Sequence, residues 1–176
     1  MIDVDAFFDA ALEKFPVIET KRLILRDLSL YDISEIKEMN NDEKIVKFMH
    51  YGTRHNASDT FDYLIRLQAY KEAITWGIAL RETDELIGIR SCFIDSAYEP
   101  VTVQGQMRHA YRKHGYTFEA YQAIISFLEE VGVKSIKANA DKSNTAAIAL
   151  LNKLGFQAEH RWPGFSFNDP NPDAIL

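Results

Sequence analysis

The segment VTVQGQMRHAYRKHGYTFEAYQAIISFLEE, residues 101–130, constrains the fold more than any other part of the chain. Val101, Val103, Gly105 and Met107 fall on alternate positions, the period of a half-buried strand. The alternation stops at a basic loop, Arg112-Lys113-His114-Gly115. Apolar residues then recur at Phe118, Tyr121, Ile124, Ile125, Leu128 and Val131, the spacing of an amphipathic helix, and Gly132 sits where a left-handed C-terminal cap belongs. SIKANA (135–140) reads as another strand, and Asp141 or Ser143 caps a helix over NTAAIALLNKL that ends at Gly155. FQAEHRW (156–162) reads as a last strand. The late order is strand, helix, strand, helix, strand.

The first half differs. Residues 5–14 have helical spacing, and IETKRLILRDL (18–28) alternates Leu23 and Leu25 with Arg22 and Arg26, as a half-buried strand does. Ser29 or Asp32 caps a helix carrying Ile33 and Ile36. Asn56 or Ser58 caps another carrying Phe61, Leu64, Ile65 and Gln68. ITWGIALRE and ELIGIRSCFID meet around Thr83-Asp84-Glu85, a connection short enough for an antiparallel hairpin. Trp76, Trp162 and Cys92 read as strand packing. No repeat, low-complexity tract or Gly/Ser linker divides the chain. The expectation is one domain over residues 1–176, with a core of roughly 17–162 and an irregular tail at 163–176 that contains three prolines.

The formal net charge of -6 argues against a broad nucleic-acid footprint or a membrane-surface stripe, so no nucleic acid and no membrane are expected as partners. An N-terminus with Asp3, Asp5 and Asp9 is unlike a signal peptide, and no apolar run reaches the ~18 residues of a membrane span. A single cysteine fits a reducing compartment, and the reading is cytoplasmic. The sequon at Asn56 is then a chance occurrence.

In an acidic chain the basic loop needs an explanation. A helix N-terminus already carries unpaired N–H groups and partial positive charge, so cations placed before it call for an anion. A strand, a donor-rich loop with a glycine, and a helix together form a phosphate-binding arrangement. Neither a G-x-x-x-x-G-K-[ST] nor a G-x-G-x-x-G loop is present. A solvated basic helix start is the competing reading.

Arg112-Lys113-His114-Gly115-Tyr116-Thr117 resembles the R/Q-x-x-G-x-G/A acyl-CoA pyrophosphate motif of the GNAT N-acetyltransferase superfamily, with Thr117 in place of Gly or Ala. ANADKSNTAAIALLNKLGFQ is similar to the same family's late strand, asparagine loop, helix and closing Leu-Gly-Phe. IETKRLILRDLSLYDISEI is similar to the opening of the branch that includes the ribosomal-protein N-terminal acetyltransferases. The resemblance implies an α+β, sandwich-like fold: a mixed, mostly antiparallel sheet of about six or seven strands flanked by helices. Its central strands, the one ending near Met107 and the one at 135–140, splay apart.

Acetyl-CoA, as cosubstrate, is expected in that split, and no metal is expected. Its pantetheine arm would pair with the backbone of Met107, Arg108 and His109. Its pyrophosphate would lie on the N–H groups of Lys113, His114, Gly115, Tyr116 and Thr117, with Arg112 assisting. Asn144 matches the family's loop asparagine, and Asn139 stands on the neighbouring strand.

The family reaction is direct attack of a neutral amine on the thioester in a ternary complex, which depends on proximity and oriented donors. Several family positions are altered here. The strand that carries a glutamate in many relatives has Thr102, Gln104 and Gln106. The serine and tyrosine that protonate the leaving thiolate in relatives are Ala147 and Leu151. Glu99 and His109 are the candidates left for acid–base work, and His114 is favoured as a donor of the cofactor loop. The expected acceptor is a primary amine on a small molecule or peptide. A protein of this family that binds acyl-CoA with little or no turnover is the alternative, and a purely structural domain is a third. An absent last strand in the tail would open the acceptor side and motivates a homodimer.

Overall fold

A computed structural model describes residues 4–48, 57–93, 101–161 and 164–168. In chain order, α1 (Val4–Glu13), β1 (Ile18–Glu19), β2 (Leu23–Arg26), α2 (Ile33–Asn41), α3 (Glu43–Val46), a short helix not expected from the sequence, and α4 (Ala57–Ala69) lead into the hairpin β3 (Ala73–Leu80) and β4 (Leu86–Phe93). Then come β5 (Val101–Met107), α5 (Tyr116–Glu130), β6 (Ile136–Ala140), α6 (Thr145–Lys153), β7 (Gln157–Arg161) and β8 (Gly164–Asn168). One eight-stranded sheet joins them in the order β1-β2-β3-β4-β5-β6-β8-β7. All pairings are antiparallel except that of β5 with β6. The mixed, mostly antiparallel α+β architecture is therefore as expected.

The tail is a correction. Instead of irregular chain, residues 164–168 form β8, which pairs with β6 on one side and β7 on the other. Five residues give too short a local period to signal a strand, and the driving force lies in closing two sheet edges at once. Pro163 and Pro170 flank the strand and do not interrupt it. With the last strand present, the reason offered for a homodimer falls away. Glu99, Trp162 and the Asn56 sequon lie outside the described residues.

Two apolar clusters sandwich the sheet. On one face Leu23, Leu25, Ile74, Trp76, Val103 and Met107 pack with Tyr121, Ile124 and Leu128 of α5. On the other, Leu86 and Ile89 meet Ile36 and Met39 of α2 and Leu64 and Leu67 of α4. Each such side chain contributes about 1.5–3 kcal/mol on burial. β3 and β4 are buried on both faces, so they form the middle of the sheet. Trp76 is fully buried, donates its Nε1–H to the Pro16 carbonyl (2.7 Å) and meets Phe15 and Phe127 edge-on. Ser29 and Asp32 form a reciprocal capping box around the 3-10 turn Leu30–Asp32 that leads into α2.

Candidate active site

β5 and β6 are hydrogen-bonded neighbours only at Val101↔Ile136 and Thr102↔Lys137, although β5 continues to Met107 and β6 to Ala140. Beyond Thr102 the two strands part. The direction of the free backbone groups follows from two bonds: Val101 N–H reaches the Ser135 carbonyl on the β6 side, and Arg108 N–H reaches the Ile87 carbonyl on the β4 side. With the β4–β5 register unbroken, alternation turns the N–H and C=O of Val103 and Gly105 and the N–H of Met107 toward the split, while the Met107 carbonyl on that side accepts from Arg112. This is an open sheet edge, able to pair with an extended ligand.

That edge differs from the expected run of Met107, Arg108 and His109. Arg108 spends its N–H on β4, and its guanidinium pairs with Glu38 (2.6 Å) and Glu85 (2.6 Å), so it ties β5 to α2 and β4. His109 is exposed and begins a short 3-10 turn whose carbonyl accepts from Arg112 N–H. Glycine at 105 is required by close approach: a Cβ there would fall 2.0 Å from the Ile89 oxygen.

The edge leads to the basic loop. Lys113 (φ 66°) and Gly115 (φ 82°) are both left-handed, which curls the chain so that successive N–H groups converge on one spot. Holding a lysine there costs about 1–2 kcal/mol, a strain typical of ligand sites. The first bond within α5 runs from Glu119 N–H to the Gly115 carbonyl, so the N–H groups of Tyr116, Thr117 and Phe118 point out of the helix end. Arg112 donates from Nε to the Met107 carbonyl (3.2 Å), binding loop to strand. His114 stacks on Tyr116.

Sequence reasoning missed Arg22. It stands 92 positions before His114, yet donates Nη1 to the His114 carbonyl (2.9 Å), lies 4.4 Å from the Tyr116 ring centroid and pairs with Glu119 (2.6 Å). Its alternation with Leu23 marked it as outward-facing, and only the β2–α5 packing shows where outward leads. Glu119, in the first turn of α5, would oppose an anion if left free. Burial pushes its carboxyl up, but hydrogen bonds from Thr20, the Arg22 backbone and the Arg22 side chain outweigh that and hold it below the usual carboxylate range. Both its oxygens are thereby occupied by Thr20 and Arg22. Glu85 is held low as well, by the Tyr111 hydroxyl and then by Arg108.

Asn144 caps α6 through its Oδ1, which accepts from Ala147 N–H (3.1 Å), so the cap lies one residue after Ser143 and three after Asp141, the two expected candidates. Asn139 is exposed on β6, paired in register with Ser166. Ala147 and Leu151 pack into the core beside α6 and offer no hydroxyl. Among the described residues no group of three His, Cys, Asp or Glu could hold a metal ion. No described helix is long and apolar enough to cross a membrane.

Residues 22–157 match the acetyltransferase (GNAT) domain family. The uncharacterized N-acetyltransferase YoaA of Bacillus subtilis is 28% identical over 152 residues, covering 82% of this chain and 85% of its own length. The fold is shared with a ribosomal-protein-S5-alanine acetyltransferase from Vibrio fischeri (TM-score 0.73, 14% identity, 92% of this chain and 100% of that one). It is shared also with the microcin C7 self-immunity acetyltransferase MccE, solved in complex with acetyl-CoA and AMP (TM-score 0.73, 17% identity, 85% and 93% covered).

Proposed function

Since the chain belongs to the GNAT acetyltransferase family and is an acyltransferase, we propose that it transfers the acetyl group of acetyl-CoA to a primary amine, at a protein or peptide N-terminus, by direct attack in a ternary complex. The observation that carries this reading is the continuity of the open β5 edge with the N-terminus of α5. An extended arm paired with Met107 and Gly105 has its phosphate end at the converging N–H groups of residues 113–118, with Arg22 and Arg112 at hand. MccE, of the same fold, holds acetyl-CoA.

The chemistry asks little of side chains. Edge N–H groups fix the thioester and are placed to receive charge on its carbonyl oxygen, while the split closes at Thr102 and limits how far the arm penetrates. The peptide acceptor draws support from the shared fold with a ribosomal-protein acetyltransferase.

The test is calorimetric titration with acetyl-CoA, repeated with Gly115→Glu, followed by thiol release assays on peptides with free N-termini. Micromolar binding lost in the variant, with turnover on at least one peptide, is expected. No binding by the unmodified protein refutes the reading, and binding without turnover on any amine restores the non-catalytic alternative.

A further inference from the structure

Among the described residues Arg90 is a buried cation without a counter-ion. It lies in the middle of β4, opposite Gly105 of β5, and is 4% exposed. Its Nη1 donates to the carbonyl of its own neighbour Ile89 (2.9 Å), its guanidinium lies 4.9 Å from the Tyr121 ring centroid on α5, and its Nε finds no hydrogen-bond partner among the described residues. Among the described residues no carboxylate forms an ion pair with it. The titratable groups that act on it are Tyr121 of α5, Cys92 of β4 and Arg112 of the loop. Burial pushes the Tyr121 hydroxyl and the Cys92 thiol up, so both are neutral at physiological pH, and Arg112 adds positive charge. Burial opposes the charge on Arg90 too, yet an arginine keeps its proton inside proteins. An uncompensated buried ion costs several kcal/mol and is not retained for stability.

Its place suggests the use. A ligand arm that starts at the α5 N-terminus and follows the open edge passes Met107, then Gly105, and must stop near Val103, because the strands close at Thr102. Arg90 lies against that stretch: a Cβ on Gly105 would come 2.7 Å from its Nη1. Resting on the acetyl-CoA reading above, we propose that Arg90 supplies the positive charge that stabilises the CoA thiolate as it leaves, in place of the proton donor that Ala147 and Leu151 cannot provide. The amine lone pair forms the C–N bond to the thioester carbonyl, and the C–S bond breaks with its electron pair passing to sulfur. The product's extra proton goes to water. The thiolate is held by the field of Arg90 and takes a proton from solvent on release.

The product complex tests this without knowledge of the acceptor. The thiol of bound CoA is titrated by its ultraviolet thiolate absorbance, with the protein bound to desulfo-CoA as blank. A cation close to the sulfur lowers the thiol's pKa by about one unit or more relative to free CoA. Arg90→Met should return it to the free value or above, while CoA affinity at low pH, where the thiol is neutral, stays within about threefold. Removing an unpaired buried ion should hold or raise the urea midpoint. Arg90→Gln, which keeps a donor for the Ile89 oxygen, replaces it should the methionine variant not fold. A bound thiol that ionises at the free value in the unmodified protein overturns the proposal, as does a depressed value that survives loss of Arg90. Failure to bind CoA at all is a different result: it removes the acetyl-CoA reading itself.

Discussion

Gly105→Ala is the smallest change that the structure predicts to be costly. The added Cβ would sit 2.0 Å from the Ile89 oxygen and 2.9 Å from the Arg90 Cα, about 1.4 Å short of an ordinary 3.4 Å contact. Both neighbours are backbone, in a strand pair whose register is regular from residue 102 to residue 107, so neither can swing aside. Overpacking of this kind costs about 1–3 kcal/mol, here at the upper end, and the stiffer unfolded chain returns only ~0.4–1 kcal/mol. A net loss of about 2 kcal/mol follows. Gly132→Ala is the control: at φ +95° it carries left-handed strain of about 1–2 kcal/mol, but nothing lies within 4 Å of its Cβ. Urea unfolding followed by tryptophan fluorescence, with Trp76 wholly buried, gives both values at constant m. Acetyl-CoA affinity should fall with Gly105→Ala, which displaces the open edge, and hold with Gly132→Ala at the far end of α5. A Gly105→Ala protein within ~0.5 kcal/mol of the unmodified one would refute the steric reasoning.

Three further outcomes are expected. Arg22→Ala should weaken acetyl-CoA binding roughly tenfold, about 1.4 kcal/mol, because it removes a cation and the brace on the His114 carbonyl; calorimetry showing unchanged affinity would remove Arg22 from the site. Arg108→Met should do the reverse, lowering the urea midpoint while leaving acetyl-CoA affinity intact, since its contacts are with Glu38, Glu85 and the Leu86 carbonyl. Acid should loosen the fold through Glu85 and Glu119. Their folded values are depressed, so their stabilisation is complete above the unfolded value of about 4.3 and is lost as pH falls through the folded values. Urea midpoints should therefore fall from about pH 4.5 downward, less steeply in Glu119→Gln, and parallel curves for the two proteins would contradict this.

Legibility in the sequence followed the range of the forces involved. The hairpin, α5 and the loop before it were readable because periodicity, a glycine cap and turn chemistry act within a few residues. The direction of the open edge was not, since Val103, Gly105 and Met107 face the split only by virtue of the register with β4. Arg22 and Arg90 were invisible for the same reason. Nothing in the strand's own sequence singles out Arg90: β4 is buried on both faces, and the chain between Leu86 and Phe93 says nothing of Tyr121 above it. The tail strand was missed because its stabilisation comes from two partner strands.

The composition of the split also bears on what sets the pH dependence of transfer. β5 presents Thr102, Gln104 and Gln106, and β6 presents Lys137 and Asn139; none of the described residues on these two strands is a carboxylate. The attacking amine must be neutral, and with no base on either strand its own ionisation governs how much of it is reactive. kcat/KM should then rise with unit slope up to the acceptor's own pKa. A peptide α-amine, near 7.7–8.0, and a lysine side chain, about 10.4, should give breakpoints roughly 2.5 units apart. An enzymic base would give one breakpoint common to both acceptors. That result would overturn the argument and direct attention to Glu99, whose change to Gln should then abolish the shared breakpoint.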